Sequence, residues 1–358
     1  MSIFNSIPLR GGNDKVRMLN NKNSIIYRIA KKAMKTKKMA ELYYRYLKDI
    51  AVLKFRYNNS NIIEEYPLTI QLPITFKCNF DCVMCGMRNL ISQEDFSAEE
   101  LSQILSDKLF QNVTGIGLNG GEPFLKKDLV ECVEVIINKI PKLKDLNIIS
   151  NGYFTDVIKD KLRSIYSLCQ ANGIRLNVSF SVDGIGEMQN VMRGNKKAWQ
   201  NILCTLEEIK NHKEAYCDWF QLICTVTKYN VYNLPEVEIW AKNSGYSISY
   251  NIATAHERIC NQDKVSDFTI FNDTKAKMVA SEFFYKKAME LKSQRYYGLY
   301  LFIRDGIRYA YCPCQNNSWV TLTPEGSICY CATHSKELGN ALNESAYEIF
   351  NRNTDYLD

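Results

Sequence analysis

Apolar and polar residues alternate in short runs through the middle of the chain, and these runs recur at regular intervals. The alternation predicts strands near residues 68–76, 114–119, 145–150, 174–182, 218–226 and 246–253. Helices are predicted between them, and the first begins at a capping box formed by Ser97 and Glu100. Because strand and helix alternate, the pattern predicts an α/β fold with a parallel sheet or barrel.

The fourth predicted strand indicates how the two faces of the sheet differ. Its apolar set is Ile174, Leu176, Val178, Phe180 and Val182, and its polar set is Arg175, Asn177, Ser179, Ser181 and Asp183. We expect the apolar set to pack outward against the helices, which leaves the polar set to line a cavity for a polar ligand. A polar face at an edge or in solvent is the alternative.

The N-terminal segment has a different character. Residues 1–65 contain fourteen Lys or Arg against five Asp or Glu, and apolar spacing over residues 24–57 predicts a helix. Its basic face is typical of a solvated helix surface, with peripheral contact to an anionic surface such as a membrane as an alternative. No nucleic-acid-binding motif accompanies the charge, so we do not expect nucleic acid as a partner.

Composition is ordinary for a globular protein, with 46% hydrophobic and 23% charged residues among 358. No apolar run approaches the ~20 residues of a membrane span, and no secretory signal is recognisable, so a cytoplasmic location is expected. The thirteen cysteines are an odd number, which argues against a disulfide framework. Reduced thiols that bind metal are the better explanation.

Three of these cysteines, Cys78, Cys82 and Cys85, follow the first predicted strand. Their spacing suits a cubane iron–sulfur cluster in which three irons are bound by protein and the fourth is open. An open metal position is typical of a catalytic site. A zinc knuckle or unrelated core cysteines are the alternatives, although zinc knuckles normally supply four ligands in two pairs.

This Cys-x3-Cys-x2-Cys loop after a first strand resembles the signature of the radical SAM enzymes. The resemblance implies a partial (β/α)6 barrel, a [4Fe–4S] cluster on Cys78, Cys82 and Cys85, and S-adenosylmethionine bound at the open iron. In that family an electron from the cluster cleaves the cofactor to a 5′-deoxyadenosyl radical. The resemblance also implies that Met84 packs near the adenine.

A second motif, Gly120-Gly121-Glu122-Pro123, directly follows the second strand. Glycines allow a backbone to approach a ligand closely, and the carboxylate can accept a hydrogen bond from an ammonium group. Alone, these residues could form only a tight turn. In the radical SAM family the equivalent residues bind the methionyl amine of S-adenosylmethionine, and the resemblance implies the same role here.

Small polar residues also end the third and fourth strands, where catalytic barrels collect ligand contacts. The resemblance implies that Ser150, Asn151, Ser181 and Asp183 surround the ribose and carboxylate of the cofactor. Arg193 is interpreted as a carboxylate contact or a brace within the barrel, with a surface arginine as the alternative.

The C-terminal region contains two further cysteine pairs, Cys312 with Cys314 and Cys329 with Cys331, separated by a predicted hairpin turn at residues 323–326. The pattern resembles the SPASM and twitch domains of radical SAM enzymes, which implies an auxiliary iron–sulfur cluster on these four cysteines. Cys260 could replace one of the four cysteines as a ligand, and His334 is a further candidate ligand. Zinc or a metal-free domain is the alternative.

Together these features predict an N-terminal extension over 1–65, a radical SAM barrel over 66–258 and a SPASM- or twitch-like region over 259–358. The predicted enzyme abstracts hydrogen from a sugar, nucleotide-sugar or other anionic small molecule, and it receives electrons from a donor such as flavodoxin or ferredoxin. A peptide maturase is the second hypothesis. A non-catalytic iron–sulfur or zinc sensor is a third, disfavoured because a sensor has no use for the glycine motif.

Overall fold

The computed structural model describes residues 64–90, 94–306, 308, 313–331 and 334–353, together with Tyr44, Leu47 and Ala51, which are helical. Most of the predicted basic helix over 24–57 therefore lies outside the described residues. The chain divides into two compact units, 1–59 and 60–358. Within the described residues, no helix is both long and apolar enough to cross a bilayer. The predicted boundaries after residues 65 and 258 stay predictions.

Six parallel strands form the main part of the sheet in the second unit. They are β1 (Thr69–Thr75), β2 (Gly115–Gly120), β3 (Asp145–Ser150), β4 (Arg175–Ser181), β5 (Trp219–Val226) and β6 (Ile248–Ile252). Each strand pairs in parallel with the next one along the chain. The predicted strands and the predicted α/β class, a partial (β/α)6 barrel, are confirmed.

Helices connect these strands and continue after the sixth. In chain order they are α1 (Ala98–Leu105), α2 (Leu129–Lys139), α3 (Thr155–Ala171), α4 (Glu187–Arg193), α5 (Ala198–Asn211), α6 (Leu234–Asn243), α7 (Val265–Phe268), α8 (Thr274–Glu290), α9 (Gln294–Asp305) and α10 (Ala346–Asn351). Helix α1 begins at the predicted capping box, in which the Ser97 side chain accepts from the Glu100 backbone N–H and Glu100 returns the contact.

The two faces of β4 differ as the alternation predicts. Leu176, Val178 and Phe180 are fully buried in one apolar core with residues of the surrounding helices. Asn177 and Ser179 on the opposite face are only half-buried. Ser179 Oγ accepts a hydrogen bond of 3.3 Å from Gln221 Nε2 on β5, so neighbouring polar side chains contact one another across the strands. The apolar side therefore carries the packing energy of the barrel.

The sheet continues beyond β1 into the C-terminal region. Strand β7 (Trp319–Leu322) pairs in parallel with β1, and β8 (Ser327–Cys329) and β9 (Gly339–Asn340) follow as antiparallel neighbours. The predicted turn at 323–326 is confirmed as the hairpin that joins β7 to β8. Gly326 has a φ of 91°, which a residue with a side chain rarely adopts, and its N–H donates to Thr323 O at 3.0 Å.

The five other cysteines lie mostly at core positions of the predicted helices and strands, which predicts that most of them are small hydrophobic core residues. They are Cys132, Cys169, Cys204, Cys217 and Cys224. Cys132, Cys169, Cys217 and Cys224 are buried, which confirms that prediction for four of the five. Cys204 is exposed on α5 and is the one exception among these five cysteines. It occupies a position of an amphipathic helix that faces away from the sheet.

Candidate active site

The loop that carries Cys78, Cys82 and Cys85 follows β1 directly, and none of the three thiols is in a disulfide. Burial raises the pKa of Cys78 to about 11 and that of Cys82 to about 12, and it also raises the pKa of Cys85. The three thiols are near enough for their charges to interact. Because metal-free thiols here are protonated at neutral pH, metal binding would release protons.

The geometry of these thiols bears on the kind of metal centre they could hold. Among the described residues, no three His, Cys, Asp or Glu side chains converge tightly enough to bind a single metal ion. A cubane cluster binds each thiolate through a different iron, so its ligands are spaced more widely than those of one ion. Three neighbouring thiols could each bind a different iron of such a cluster, which would leave the fourth iron open.

Backbone contacts from distant segments fix the outer side of this loop. Asn261 Nδ2 donates to Met84 O at 2.8 Å, and Gly86 N–H donates to Ile259 O at 2.8 Å. A Cβ on Gly86 would lie 2.1 Å from Cys260 O, so only glycine permits this approach. The segment after β6 thus braces the cysteine loop. Asn261 was missed by sequence reasoning because no local motif marks it.

Glu122 links the ends of β2 and β3. Its side chain is buried and accepts hydrogen bonds from Ser150 Oγ (2.9 Å), Asn151 N–H (2.7 Å) and Phe124 N–H (3.2 Å). Burial raises the pKa of Glu122 to about 7, although these three donors oppose the shift. Three of the residues predicted to surround the cofactor, Glu122, Ser150 and Asn151, therefore lie together at one end of the sheet.

Gly121, which precedes Glu122, also makes close contacts within the protein. A Cβ on Gly121 would lie 2.1 Å from Lys77 O, and the Gly121 N–H donates to Thr75 O at 2.8 Å. This close approach joins the end of β2 to the chain that enters the cysteine loop. Asp95, which sequence reasoning missed, accepts from Thr75 Oγ1 at 2.6 Å and Phe76 N–H at 2.7 Å and so fixes the same corner.

Asp183 and Arg193 form a buried ion pair. Arg193 Nη2 lies 2.8 Å from Asp183 Oδ2, and Arg193 Nη1 lies 3.8 Å from Cys82 Sγ. Thr225 N–H donates to Asp183 Oδ1 at 2.7 Å. Burial raises the pKa of Asp183, and Arg193 with the Thr225 N–H opposes that shift. Arg193 is therefore not a surface arginine. It links the loop after β4 to α4 through Asp183 and places a positive charge beside Cys82 of the cysteine loop.

Two buried amide side chains hold the loop after β4. Gln189 Nε2 donates to Ser181 O at 2.9 Å, and Gln189 Oε1 accepts from Asp183 N–H at 2.7 Å. Asn230 Nδ2 donates to Asp183 O at 2.8 Å. Neither amide was assigned a role from the sequence, since buried Gln and Asn carry no recognisable pattern. Ser181 and Asp183 are thus fixed by the protein itself, and their predicted cofactor contacts stay predictions.

Met84 lies in a small apolar cluster with Met192, Ala253 and Phe268. This cluster connects the cysteine loop to α4, to the end of β6 and to α7. Met84 itself is 8% exposed, so one edge of this residue remains accessible. The predicted packing against adenine stays a prediction.

The C-terminal cysteines are only partly described, because Cys312 lies outside the described residues. Cys314 is buried in a short turn before β7, and Cys329 ends β8 opposite Thr321. Burial, followed by the charges of Glu337 and Glu325, raises the pKa of Cys329 to about 12. Cys329, Cys331 and Cys260 line one cavity of about 420 Å³. The predicted auxiliary cluster therefore stays a prediction.

Comparisons with known proteins give the class of the domain. A family model described as the Radical SAM superfamily matches residues 72–223. This range includes the cysteine loop, the turn around Glu122 and the ion pair of Asp183 with Arg193. Residues 72–223 are therefore a radical SAM domain, and this superfamily uses a [4Fe–4S] cluster and S-adenosylmethionine.

Individual relatives are more distant. A probable GTP 3′,8-cyclase of Methanocaldococcus jannaschii is 30% identical over 141 residues, which cover 36% of this chain and 45% of that protein. The chain thus matches less than half the length of this relative. Streptococcus suis SuiB bound to precursor peptide SuiA has a TM-score of 0.56 at 14% identity, covering 87% of this chain and 70% of that one. Native anSMEcpe with bound AdoMet has a TM-score of 0.58 at 17% identity, covering 81% and 82%. These two likenesses show the fold alone.

Proposed function

We propose that the chain is a radical SAM enzyme that acts on a polar substrate. The observation that carries this proposal is the cysteine loop inside the matched domain, which has three neighbouring thiols and is braced by Asn261 and Gly86. When bound, a [4Fe–4S] cluster on Cys78, Cys82 and Cys85 and S-adenosylmethionine would together supply a 5′-deoxyadenosyl radical that abstracts hydrogen. Electrons would come from a donor such as flavodoxin or ferredoxin.

The chain's own residues would hold and orient these groups. Glu122 would accept a hydrogen bond from the amino group of S-adenosylmethionine, and Gly120, Gly121 and Pro123 would shape the turn that presents it. Arg193 would stabilise negative charge at Cys82, because it lies beside that sulfur. The apolar cluster around Met84 would exclude water from one side of the loop.

A direct experiment tests the reaction class. The full chain, purified without oxygen, reconstituted with iron and sulfide and reduced with dithionite, should convert S-adenosylmethionine to 5′-deoxyadenosine and methionine. Chromatography of the quenched reaction measures both products. A reconstituted and reducible protein that forms neither product would contradict the proposal.

Two classes of substrate fit this proposal. The cavity of about 420 Å³ is in the range of small-molecule sites, which supports a sugar, nucleotide-sugar or other small charged molecule. A ribosomal peptide is the second class, supported by the likeness to SuiB bound to a precursor peptide over 87% of this chain. Which bond changes after hydrogen abstraction depends on the substrate.

The affinity for S-adenosylmethionine should depend on the charge of Glu122. Its pKa of about 7 means that the ionised acceptor becomes fully populated only above neutral pH. Binding should therefore strengthen as the pH rises and be about tenfold weaker at pH 6 than at its plateau. Calorimetry on reconstituted protein from pH 6 to 8 measures this change.

The variant Glu122→Gln should bind S-adenosylmethionine more weakly, by roughly 1.5–3 kcal/mol at the plateau, and should lose the rise with pH. Glu131→Gln, which removes an exposed carboxylate from α2, is the matched control and should keep both. An identical pH profile in Glu122→Gln and the unmodified protein would mean that Glu122 only joins β2 to β3.

We also propose a second metal centre in the C-terminal region, held by Cys312, Cys314, Cys329 and Cys331. A complete set of four thiolates leaves no open position, so this centre would be structural or redox-active.

In protein lacking Cys78, Cys82 and Cys85, analysis of iron, sulfide and zinc should find about four irons for a cubane, roughly two for a smaller cluster or one zinc for a knuckle. Adding Cys329→Ser and Cys331→Ser should remove that metal, whereas Cys204→Ser on the exposed face of α5 should not. No metal in the first variant would contradict this centre.

A further inference from the structure

Side-chain amides recur on the face of the sheet opposite the apolar core. The strand pairing aligns Gln71 on β1 with Gly117, Asn147 and Asn177 on the next three strands. Because neighbouring strands are about 4.8 Å apart, this row spans roughly 14 Å. Two more amides lie on the same face of β2 and β5, nearer the carboxyl ends of the strands. We call this set the amide face, and its members are Gln71, Asn119, Asn147, Asn177 and Gln221.

Asn119 has an unsatisfied hydrogen-bonding atom on this face. Its Nδ2 donates to Gln71 Oε1 and to Gly117 O, both at 3.4 Å. Its Oδ1 is buried and has no hydrogen-bond partner within the part of the chain that the structure describes. A buried acceptor without a donor is destabilising, and a hydroxyl or N–H group of a ligand would supply the donor.

The other members of the amide face remain accessible. Asn147 is exposed and Asn177 is half-buried. Gln221 Nε2 donates to Ser179 Oγ at 3.3 Å, which leaves its Oε1 as an acceptor. Since every amide carries both kinds of group, the face presents donors and acceptors side by side to an occupant.

The amide face carries no charge of its own, and the ionic groups on the adjoining parts of the sheet are already paired. At the N-terminal ends of the strands, Arg175 lies 2.7 Å from Asp145, and at the carboxyl ends lies the buried ion pair of β4 with α4. Beside β6, Arg295 Nη2 donates to Asn251 Oδ1 at 2.6 Å. No member of the face lines the charged cavity near the C-terminal hairpin. An anionic ligand would lose its hydration here without gaining a partner, whereas an uncharged one would not.

The shape of the face favours a small hydroxylated molecule over a peptide. Peptides commonly bind by pairing with a free strand edge or by laying a helix into an apolar groove. Strands β1 to β5 are each paired on both sides, so they offer no edge. Trp219, which is aligned with Asn177 and is 43% exposed, adds an aromatic surface at the end of the row. A sugar ring could pack its apolar side on this indole while its hydroxyl groups bind the amides.

We propose that the amide face is the substrate site and that it selects an uncharged, hydroxyl-rich small molecule such as a glycoside. This proposal rests on the proposed radical SAM function and narrows its substrate class. Asn119 would accept a hydrogen bond from one hydroxyl group of the ligand. Because Asn119 directly precedes the glycine turn at the end of β2, that hydroxyl group would lie next to the proposed cofactor contacts.

Small probe molecules test this selection. The methyl glycosides of glucose, galactose and mannose are uncharged, their 6-phosphates are anionic, and N-acetyl-tetraglycine amide has an uncharged peptide backbone. The reconstituted full chain with S-adenosylmethionine should bind at least one glycoside about tenfold or more tightly than its 6-phosphate and than the peptide, by saturation-transfer NMR. Failure of all three glycosides to bind, or tighter binding of a phosphate, would overturn the proposal. Tighter binding of the peptide would overturn it in favour of a peptide substrate.

Variants locate the probe on the amide face. Asn119→Ala and Asn147→Ala should each weaken binding of the selected glycoside about threefold to tenfold, because each removes hydrogen-bonding groups. Asn147→Lys should reduce the preference for the glycoside over its 6-phosphate about tenfold, since it adds a cation to the face. Asn243→Ala, which removes an exposed amide at the end of α6, is the matched control and should bind as the unmodified protein does.

Circular dichroism shows whether these variants fold, and Asn147 is an exposed position where substitutions are tolerated. Unchanged glycoside binding and unchanged preference in the folded Asn147 variants would overturn the proposal, whatever the behaviour of Asn119→Ala.

A separate measurement distinguishes this proposal from the proposed reaction class. Formation of 5′-deoxyadenosine by the unmodified protein without substrate reports the radical SAM function alone. Its absence, with selective glycoside binding retained, would contradict the reaction class and leave the binding site standing. Its presence, with no preference for uncharged probes, would overturn the assignment of the amide face and leave the reaction class standing.

Discussion

Simultaneous replacement of Cys78, Cys82 and Cys85 by alanine should abolish 5′-deoxyadenosine formation. Each thiolate would hold one iron, and an incomplete set would neither retain the cluster nor leave a single iron open to S-adenosylmethionine. We expect three measured quantities to fall together: the iron and sulfide content, the visible absorbance of the cluster and the yield of 5′-deoxyadenosine. We expect the loss to be complete, which makes this the largest effect on activity.

A matched cysteine variant separates cluster loss from a general effect on thiols. Cys204→Ala changes an exposed thiol on α5 and should leave cluster content and cofactor cleavage unchanged. Thermal unfolding of the metal-free proteins shows whether the triple variant still folds, which we expect because the three thiols are not part of the main apolar core. Cofactor cleavage by the folded triple variant would refute the assignment of these residues.

The ion pair of Asp183 and Arg193 should be the electrostatic contact with the largest effect on stability. Arg193→Met would leave the Asp183 carboxylate, which is 0% exposed, without its partner, and should lower the free energy of unfolding by roughly 3–5 kcal/mol. Urea unfolding of the metal-free protein measures this loss. The same variant should also reduce cluster retention, since Arg193 lies 3.8 Å from Cys82 Sγ.

The exposed pair of Arg175 with Asp145 is the control. Its atoms are 2.7 Å apart but the arginine is 70% exposed, so Arg175→Met should change stability by about 1 kcal/mol or less. Adding Asp183→Asn to Arg193→Met should recover part of the lost stability, because it removes the unpaired charge. Equal losses at the buried and exposed pairs would show that burial of Asp183 is not the reason for the effect.

Local patterns were enough to predict the six strands, the capping box at Ser97 and the hairpin at 323–326. In each case the signal is contained in a few consecutive residues, whose alternation or turn chemistry has one favourable structure. The parallel pairing of β7 with β1 could not be predicted in this way, since the two strands are far apart in the sequence. Topology of this kind depends on long-range packing.

The candidate site also contains both kinds of feature, local motifs that the sequence predicts and long-range contacts that it does not. The cysteine loop and the turn around Glu122 are continuous motifs, and the structure brings Glu122 together with Ser150 and Asn151. The residues that sequence reasoning missed make single contacts across long separations, such as Asn261 with Met84, 177 residues apart.

The pairing of β1 with both β2 and β7 has a consequence for solubility. An unpaired strand edge is a template for association with other chains, and β1 is rich in apolar residues. Pro73 blocks only one of its donor positions. Strands β7 to β9 therefore shield the edge of the strand that leads into the cysteine loop. In this way the C-terminal hairpin guards the barrel against aggregation, whether or not its cysteines bind a metal.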